Sequence, residues 1–153
     1  MRHQRILVPV DFTERSRAAL NYAIDLVKPL HAGIVALHVL WDPPNYLNLD
    51  TVLLQMPEDG DGRAALRRHM LARAQAEMQV FLSVFDVRWQ YGIDKRFLFG
   101  DPATEVLAFA RAEKMDLIVA ATRGGSGRLG SICMKMVQAA PCPVLAIPAA
   151  VLD

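Results

Sequence analysis

The chain has 153 residues, of which 53% are hydrophobic and 22% charged, a composition typical of one globular domain with a full core. Its formal net charge of +1 gives no broad electrostatic attraction to nucleic acid or to an anionic membrane surface. No apolar run approaches the roughly 20 residues of a membrane span, and two cysteines make no disulfide framework, so we expect a cytoplasmic protein with one domain over residues 1–153.

The first part of the chain alternates buried strands with a helical pattern. Ile6–Val10 is a short β-branched run, which predicts a strand buried on both faces of a parallel sheet. Thr13 is a candidate N-cap for a helix with apolar residues at helical spacing, and Gly33 is predicted to stop that helix. Ile34–Leu40 predicts the second strand.

The middle of the chain begins with the longest predicted irregular segment, residues 41–62, which is rich in proline, glycine and acidic side chains. Arg63–Phe85 then has apolar residues along one side and predicts a long helix. A third strand is predicted within Asp86–Phe99, because apolar and polar residues alternate at Val87, Trp89 and Tyr91.

The last part contains two further strand and helix pairs. Asp101 as N-cap and Pro102 at the first helical position predict a helix start. Asp116–Ala121 predicts the fourth strand, Ile132–Ala139 the last helix, and Val144–Ile147 the fifth strand.

Five strands alternating with four helices predict an α/β fold: one doubly wound, Rossmann-like parallel sheet with helices on both faces. We predict the strand order 3-2-1-4-5. The ends of the first and fourth strands are then neighbours, at the point where ligands bind in such sheets. Asp11 follows the first of these strands, and the stretch A-T-R-G-G-S-G-R-L-G-S, residues 121–131, follows the other.

The glycine-rich stretch permits two interpretations. Backbone N–H groups released by glycines, hydroxyls from Ser126 and Ser131, and the start of the next helix are all suited to bind phosphate. Asp11 is suited to accept hydrogen bonds from ribose hydroxyls or to contact a phosphate-bound metal. The same glycines are equally typical of a plain turn between a strand and a helix, so the stretch alone leaves both open.

The remaining reactive side chains form no recognisable catalytic or metal-binding pattern. The four histidines are scattered without ligand spacing to either cysteine, which argues against zinc. His38, inside a predicted buried strand, is interpreted as a core residue with a satisfied hydrogen bond. Cys133 and Cys142 are interpreted as small hydrophobic residues, and no nucleophile has a base beside it in the sequence.

Several short blocks occur in a fixed order along nearly the whole chain. They are I-L-V-P-V-D at residues 6–11, L-H-V at 37–39, G-D-P at 100–102, D-L-I-V at 116–119 and A-P-C-P-V-L at 140–145. In these blocks the chain resembles the universal stress protein family.

The resemblance implies an adenine nucleotide, AMP or ATP, between the first and fourth strands. Backbone groups around Pro9, Val10 and Val39 would contact the adenine, and Asp11 would contact the ribose side and the magnesium ion that accompanies the nucleotide. The phosphates would lie on a pattern of G-x-x-G, nine residues and G-[ST].

This chain departs from that phosphate pattern in two ways. Ala121 stands at the first glycine position, and only five residues, instead of nine, precede Gly130-Ser131. The shorter spacing predicts that AMP or ADP is retained at least as well as ATP. The phosphate contacts are expected from Thr122, Arg123, Gly124, Ser126, Gly130 and Ser131.

Two classes of function remain. One is a small stress-response protein that binds AMP or ATP as a sensor and has at most a slow ATP-hydrolysing activity. The other is a dimeric interaction protein of the same fold without a nucleotide. An intact loop would favour the first class, and the shortened loop leaves it slightly ahead. The resemblance also implies a homodimer through Val144–Ile147, in agreement with the apolar tail at residues 149–152.

Overall fold

The computed structural model describes residues 5–42, 62–122 and 130–148, in which strands and helices alternate. No helix in these ranges is long and apolar enough to cross a membrane. The strands are β1 (Arg5–Pro9), β2 (Gly33–Leu40), β3 (Asp94–Phe99), β4 (Leu117–Ala121) and β5 (Val144–Ile147). The helices are α1 (Glu14–Leu30), α2 (Gly62–Leu82), α3 (Val87–Gly92), α4 (Pro102–Ala112) and α5 (Ser131–Ala139).

The five strands form one parallel sheet in the order β3-β2-β1-β4-β5, which confirms the predicted order. The central strand β1 pairs on both sides, since Ile6 lies opposite Ile34 of β2 and Leu117 of β4. β5 pairs only with β4 and is an edge strand, as predicted.

Alternate side chains of the strands fill two separate cores. Ile6 and Val8 point to the face that α1 and α2 cover, and Leu7 points to the face that α4 and α5 cover. Ile6, Leu7 and Val8 are fully buried, which is why these three consecutive positions of β1 are all apolar instead of alternating with polar residues. The prediction of helices on both faces is confirmed.

The third strand lies within the predicted range 86–99. The alternation that predicted it was misread, because Val87, Trp89 and Tyr91 lie in the short helix α3. The side chain of Asp86 accepts a hydrogen bond from the backbone N–H of Arg88 at 3.0 Å and caps this helix. Val87 and Tyr91 are four residues apart and strongly exposed, at 63% and 83%. Alternation over so few residues also suits a turn and a half of helix, and β3 begins only at Asp94.

Local capping signals predict most of the other boundaries correctly. The backbone N–H of Ser16 donates to the Thr13 side chain, and that of Thr104 donates to Asp101, as expected for two N-caps. Gly33 was predicted to stop α1, which is wrong by a few residues. The helix ends at Leu30, and His31 takes up the left-handed turn with φ 51°.

Leu7→Ala is expected to lower the free energy of unfolding by about 2–5 kcal/mol, because the cavity would open in the middle of the sheet. Leu30→Ala is the matched control, since Leu30 is 41% exposed at the end of α1, and we expect a loss of about 1 kcal/mol or less. Urea denaturation of both variants measures the difference. Equal losses would contradict this assignment of the core.

Candidate functional site

A cleft of about 970 Å³ opens at the carboxyl ends of β1 and β4. The chain leaves β1 towards α1 on one face of the sheet and leaves β4 towards α5 on the other face. The starts of α1 and α5 therefore lie on opposite faces of the sheet, and the cleft lies between them.

Six of the ten residues predicted from the sequence for the nucleotide site line this cleft. They are Pro9, Val10, Asp11, Val39, Thr122 and Gly130. Ser131 is the first residue of α5 and is exposed beside the cleft lining. The other three, Arg123, Gly124 and Ser126, lie outside the described residues.

A hydrogen-bonded turn holds the Asp11 carboxylate at the start of α1. The backbone N–H and the hydroxyl of Thr13 both donate to Asp11 Oδ1, at 3.1 and 2.5 Å. The Ser16 hydroxyl accepts a bond from the Asp11 N–H at 3.4 Å and donates to the Thr13 carbonyl at 3.0 Å. Both of the Thr13 bonds end on Oδ1, and Asp11 lines the cleft, where its carboxylate is placed to accept hydrogen bonds from a ligand.

The same contacts keep Asp11 ionised. Burial alone raises the pKa of Asp11, but the hydrogen bonds from Thr13, assisted by Ser16 and the backbone, outweigh burial and hold this pKa below the ordinary value of an aspartate. At neutral pH the cleft therefore contains a fixed negative charge on its β1 side.

The opposite side of the cleft is the uncapped start of α5. Gly130 is the N-cap of this helix and has no side chain to accept a backbone hydrogen bond. By contrast, side chains cap α1, α3 and α4. Gly130, Ile132 and Cys133 line the cleft, so the partial positive charge at this helix start faces the space where a ligand would lie.

Thr122 lines the cleft, but both of its donors are already used. Its backbone N–H and its hydroxyl donate to the Ile147 carbonyl, at 2.9 and 3.3 Å. A contact from the Thr122 hydroxyl to a ligand would require giving up the longer of these bonds.

The sequence did not indicate the wall that α2 contributes to the cleft, which includes Met70, Arg73, Ala74 and Glu77. Arg67 fixes this helix: its guanidinium pairs with both carboxylate oxygens of Asp42, at 2.9 and 2.5 Å, and lies 5.3 Å from the Phe99 ring centre. Asp42 and Phe99 are distant in sequence from Arg67, so no local pattern could have identified this wall.

The thiols of Cys133 and Cys142 are less acidic than a free cysteine. Burial raises the pKa of Cys133, and burial together with the nearby Asp116 carboxylate raises that of Cys142, so both thiols stay protonated at neutral pH. In the ranges that the structure describes, no three histidine, cysteine or carboxylate side chains come together as a metal site.

Thr13→Val is expected to raise the pKa of Asp11, because the carboxylate loses a hydroxyl donor that stabilises its charged form. The loss of the cap should also cost about 1 kcal/mol of stability. Since the folded pKa of Asp11 is lowered, its contribution to stability is present above about pH 4 and is lost as the pH falls through the folded pKa.

A carbon-detected NMR titration of Asp11 measures this effect, with Thr13→Ser as the control that keeps the hydroxyl. The serine variant should titrate like the unaltered protein. An unchanged Asp11 pKa in Thr13→Val would show that the Thr13 hydroxyl does not hold the carboxylate.

Comparison with known proteins agrees with this fold. Residues 2–148 match the model of the universal stress protein family, and a universal stress protein of Thermus aquaticus is 50% identical over 146 residues, covering 93% of this chain and 96% of that protein. A universal stress protein of Archaeoglobus fulgidus in complex with dAMP has a TM-score of 0.62 at 18% identity, covering 96% of this chain and 99% of that one. A universal stress protein in complex with cAMP has a TM-score of 0.61 at 20% identity, covering 96% and 98%. The chain therefore belongs to the universal stress protein family.

Proposed function

We propose that this chain binds an adenine nucleotide in the cleft between β1 and β4 and acts as a stress-response sensor. Its enzymatic activity would be at most a slow hydrolysis of ATP. The observation that carries the proposal is the pairing of two ends in one cleft. An ionised Asp11 carboxylate that lines the cleft lies at the first end, and the uncapped start of α5 lies at the second. A nucleotide needs both, a hydroxyl acceptor for the ribose and a positive end for the phosphate.

The adenine end of the site is formed by backbone where the ladder between β1 and β2 stops. Val10 N–H donates to the Leu37 carbonyl at 2.8 Å. Beyond this bond, no further backbone hydrogen bond joins the β1 side to β2 in the described part of the chain. Val39 lies two residues past Leu37 and lines the cleft, so its backbone is a suitable partner for the edge of an adenine ring.

Ribose and phosphate would then lie between Asp11 and Gly130. We assign the ribose hydroxyls to Asp11 Oδ2 and the phosphate to the N–H groups at the start of α5, with Ser131 as a hydroxyl donor. A magnesium ion carried by the phosphates would use Asp11 as its protein ligand and would neutralise phosphate charge. Arg123, Gly124 and Ser126 stay in the proposal as further phosphate contacts.

The shortened glycine loop favours nucleotides with few phosphates. The two solved relatives described above contain cAMP and dAMP, and each of these molecules has a single phosphate. This supports the expectation that AMP or ADP binds this chain at least as well as ATP.

Titration calorimetry with AMP, ADP and ATP in the presence of magnesium should give AMP or ADP an affinity equal to or higher than that of ATP. Asp11→Asn should weaken binding by about 10- to 100-fold, because a charge-assisted hydrogen bond is worth about 1.5–3 kcal/mol. Asp25→Asn is the matched control, since Asp25 is exposed on α1 and pairs with Lys28 at 3.0 Å.

Gly130→Val tests the phosphate end in the same assay and should weaken ATP more than adenosine. Two results would contradict the proposal. Binding of none of the three nucleotides would favour the alternative, a dimeric interaction protein of this fold without a nucleotide. A much tighter binding of ATP than of AMP would mean that the short loop still forms a full phosphate site.

We also propose a homodimer that forms through β5. Val144–Ile147 is an edge strand with unpaired backbone groups on its outer side. Beside it in sequence, α5 exposes Met134 and Val137, which are 46% and 51% accessible. A second copy of the chain would cover both features; the apolar tail at residues 149–152 that supports the same idea lies outside the described residues.

Sedimentation at micromolar concentration should give twice the 17.0 kDa mass of one chain. Hydrogen exchange of the β5 amides should slow as the protein concentration rises. The β3 amides are the internal control, because β3 is the opposite edge of the same sheet and should not respond. A mass of one chain, or equal behaviour of both edges, would rule out this dimer.

A further inference from the structure

We propose that His38 is a positioning residue of the nucleotide site, which holds the turn around Asp11 from both sides through Val10 and Phe12. Its consequence for binding rests on the nucleotide proposal above, whereas its effect on the turn does not. A core residue with a satisfied hydrogen bond, the earlier interpretation of His38, would have no effect on the turn beyond its packing.

The first contact is a hydrogen bond on the β1 side of the turn. His38 Nδ1 lies 2.7 Å from the Val10 carbonyl oxygen. A carbonyl oxygen only accepts, so Nδ1 carries the proton and donates. Val10 is therefore held at both its backbone groups by β2, at the N–H by Leu37 and at the carbonyl by His38.

The second contact is a stacked ring on the α1 side of the turn. The Phe12 ring lies 4.3 Å from the His38 ring with an interplanar angle of 30°, and it meets Phe81 of α2 edge-on at 5.8 Å. Phe12 has φ 64°, in the left-handed region that a bulky side chain rarely adopts. Such a backbone persists only when its surroundings hold it, and the stacking on His38 provides a hold.

Asp11 lies between these two contacts. Its neighbours on either side contact the same imidazole, so one side chain of β2 holds the backbone on both sides of Asp11, while Thr13 holds the carboxylate itself. Phe97 of β3 is a useful contrast: its ring meets His38 edge-on at 6.4 Å, within the same aromatic cluster. No hydrogen bond or ring contact joins Phe97 to residues 10–13 in the described part of the chain.

The test compares His38→Leu with Phe97→Leu, two variants that each remove a ring from the cluster. Two quantities are measured: the backbone φ of Phe12, from NMR couplings, and the affinity for AMP, from calorimetry. In His38→Leu we expect φ of Phe12 to leave the left-handed region and AMP binding to weaken about tenfold, the equivalent of one lost hydrogen bond. Phe97→Leu should lower thermal stability and leave both quantities unchanged.

Two further variants separate the contacts of His38. His38→Asn keeps an amide donor near the position of Nδ1 and should restore part of the AMP affinity, which a purely space-filling role would not allow. His38→Phe keeps the ring without the donor, and it replaces His38→Leu in the comparison if the leucine variant is too unstable to measure.

An unchanged φ of Phe12 in His38→Leu, or an equal loss of AMP affinity in Phe97→Leu, would overturn the proposal. The failure of the nucleotide proposal is distinguishable. If the unaltered protein binds no AMP or ATP, the φ of Phe12 in His38→Leu and Phe97→Leu still decides whether His38 holds the turn.

Discussion

The structure depends on the burial of β1, which is paired on both edges and covered on both faces. Three consecutive apolar side chains, Ile6, Leu7 and Val8, are removed from water here and join the two cores to one strand. The order of the sheet reverses at this strand, because β2 follows on one side and β4 returns on the other. The cleft results from this reversal, as the connections after β1 and β4 move to opposite faces.

Backbone polarity at two helix starts determines the electrostatics of that cleft. At α1 the positive end is satisfied by Thr13 and by the Asp11 turn, so the negative charge that faces the cleft is fixed by hydrogen bonds. At α5 the cap is a glycine without a side chain, so the positive end is available to a ligand. Both are helix starts that follow a strand. The N-cap residue, Thr13 in α1 and Gly130 in α5, decides whether the positive end of the helix is satisfied or faces the cleft.

The proposals describe different levels of the same site. In these proposals Asp11 and the start of α5 would bind the ligand and β2 would supply backbone to the adenine, while His38, which also lines the cleft, would hold the turn. A dimer through β5 would act at the far edge of the sheet from β3, next to the strand that precedes the glycine-rich stretch. Binding and assembly would then meet at β4, which borders the cleft on one side and pairs with β5 on the other.

The sequence by itself determined the features that depend on neighbouring residues. The buried strands, the caps at Thr13 and Asp101 and the position of β5 all follow from residue type and short-range spacing, and the placement of helices on both faces follows from the handedness of crossovers. Asp11 and the glycine-rich stretch were predicted to be neighbours because the ends of parallel strands meet at one edge, whereas Pro9, Val10 and Val39 were implied by the family resemblance.

Tertiary structure decided what depends on contacts between distant residues. Residues 87–92 form a helix, although their pattern also suits a strand. The sequence could not distinguish the two structures, because six residues carry too little periodicity. The Arg67 pair with Asp42 that holds α2 over the cleft, and the contacts of His38 with Val10 and Phe12, join residues 25 to 28 positions apart. Such contacts form only once the sheet has brought its strand ends together, and no local sequence pattern records them.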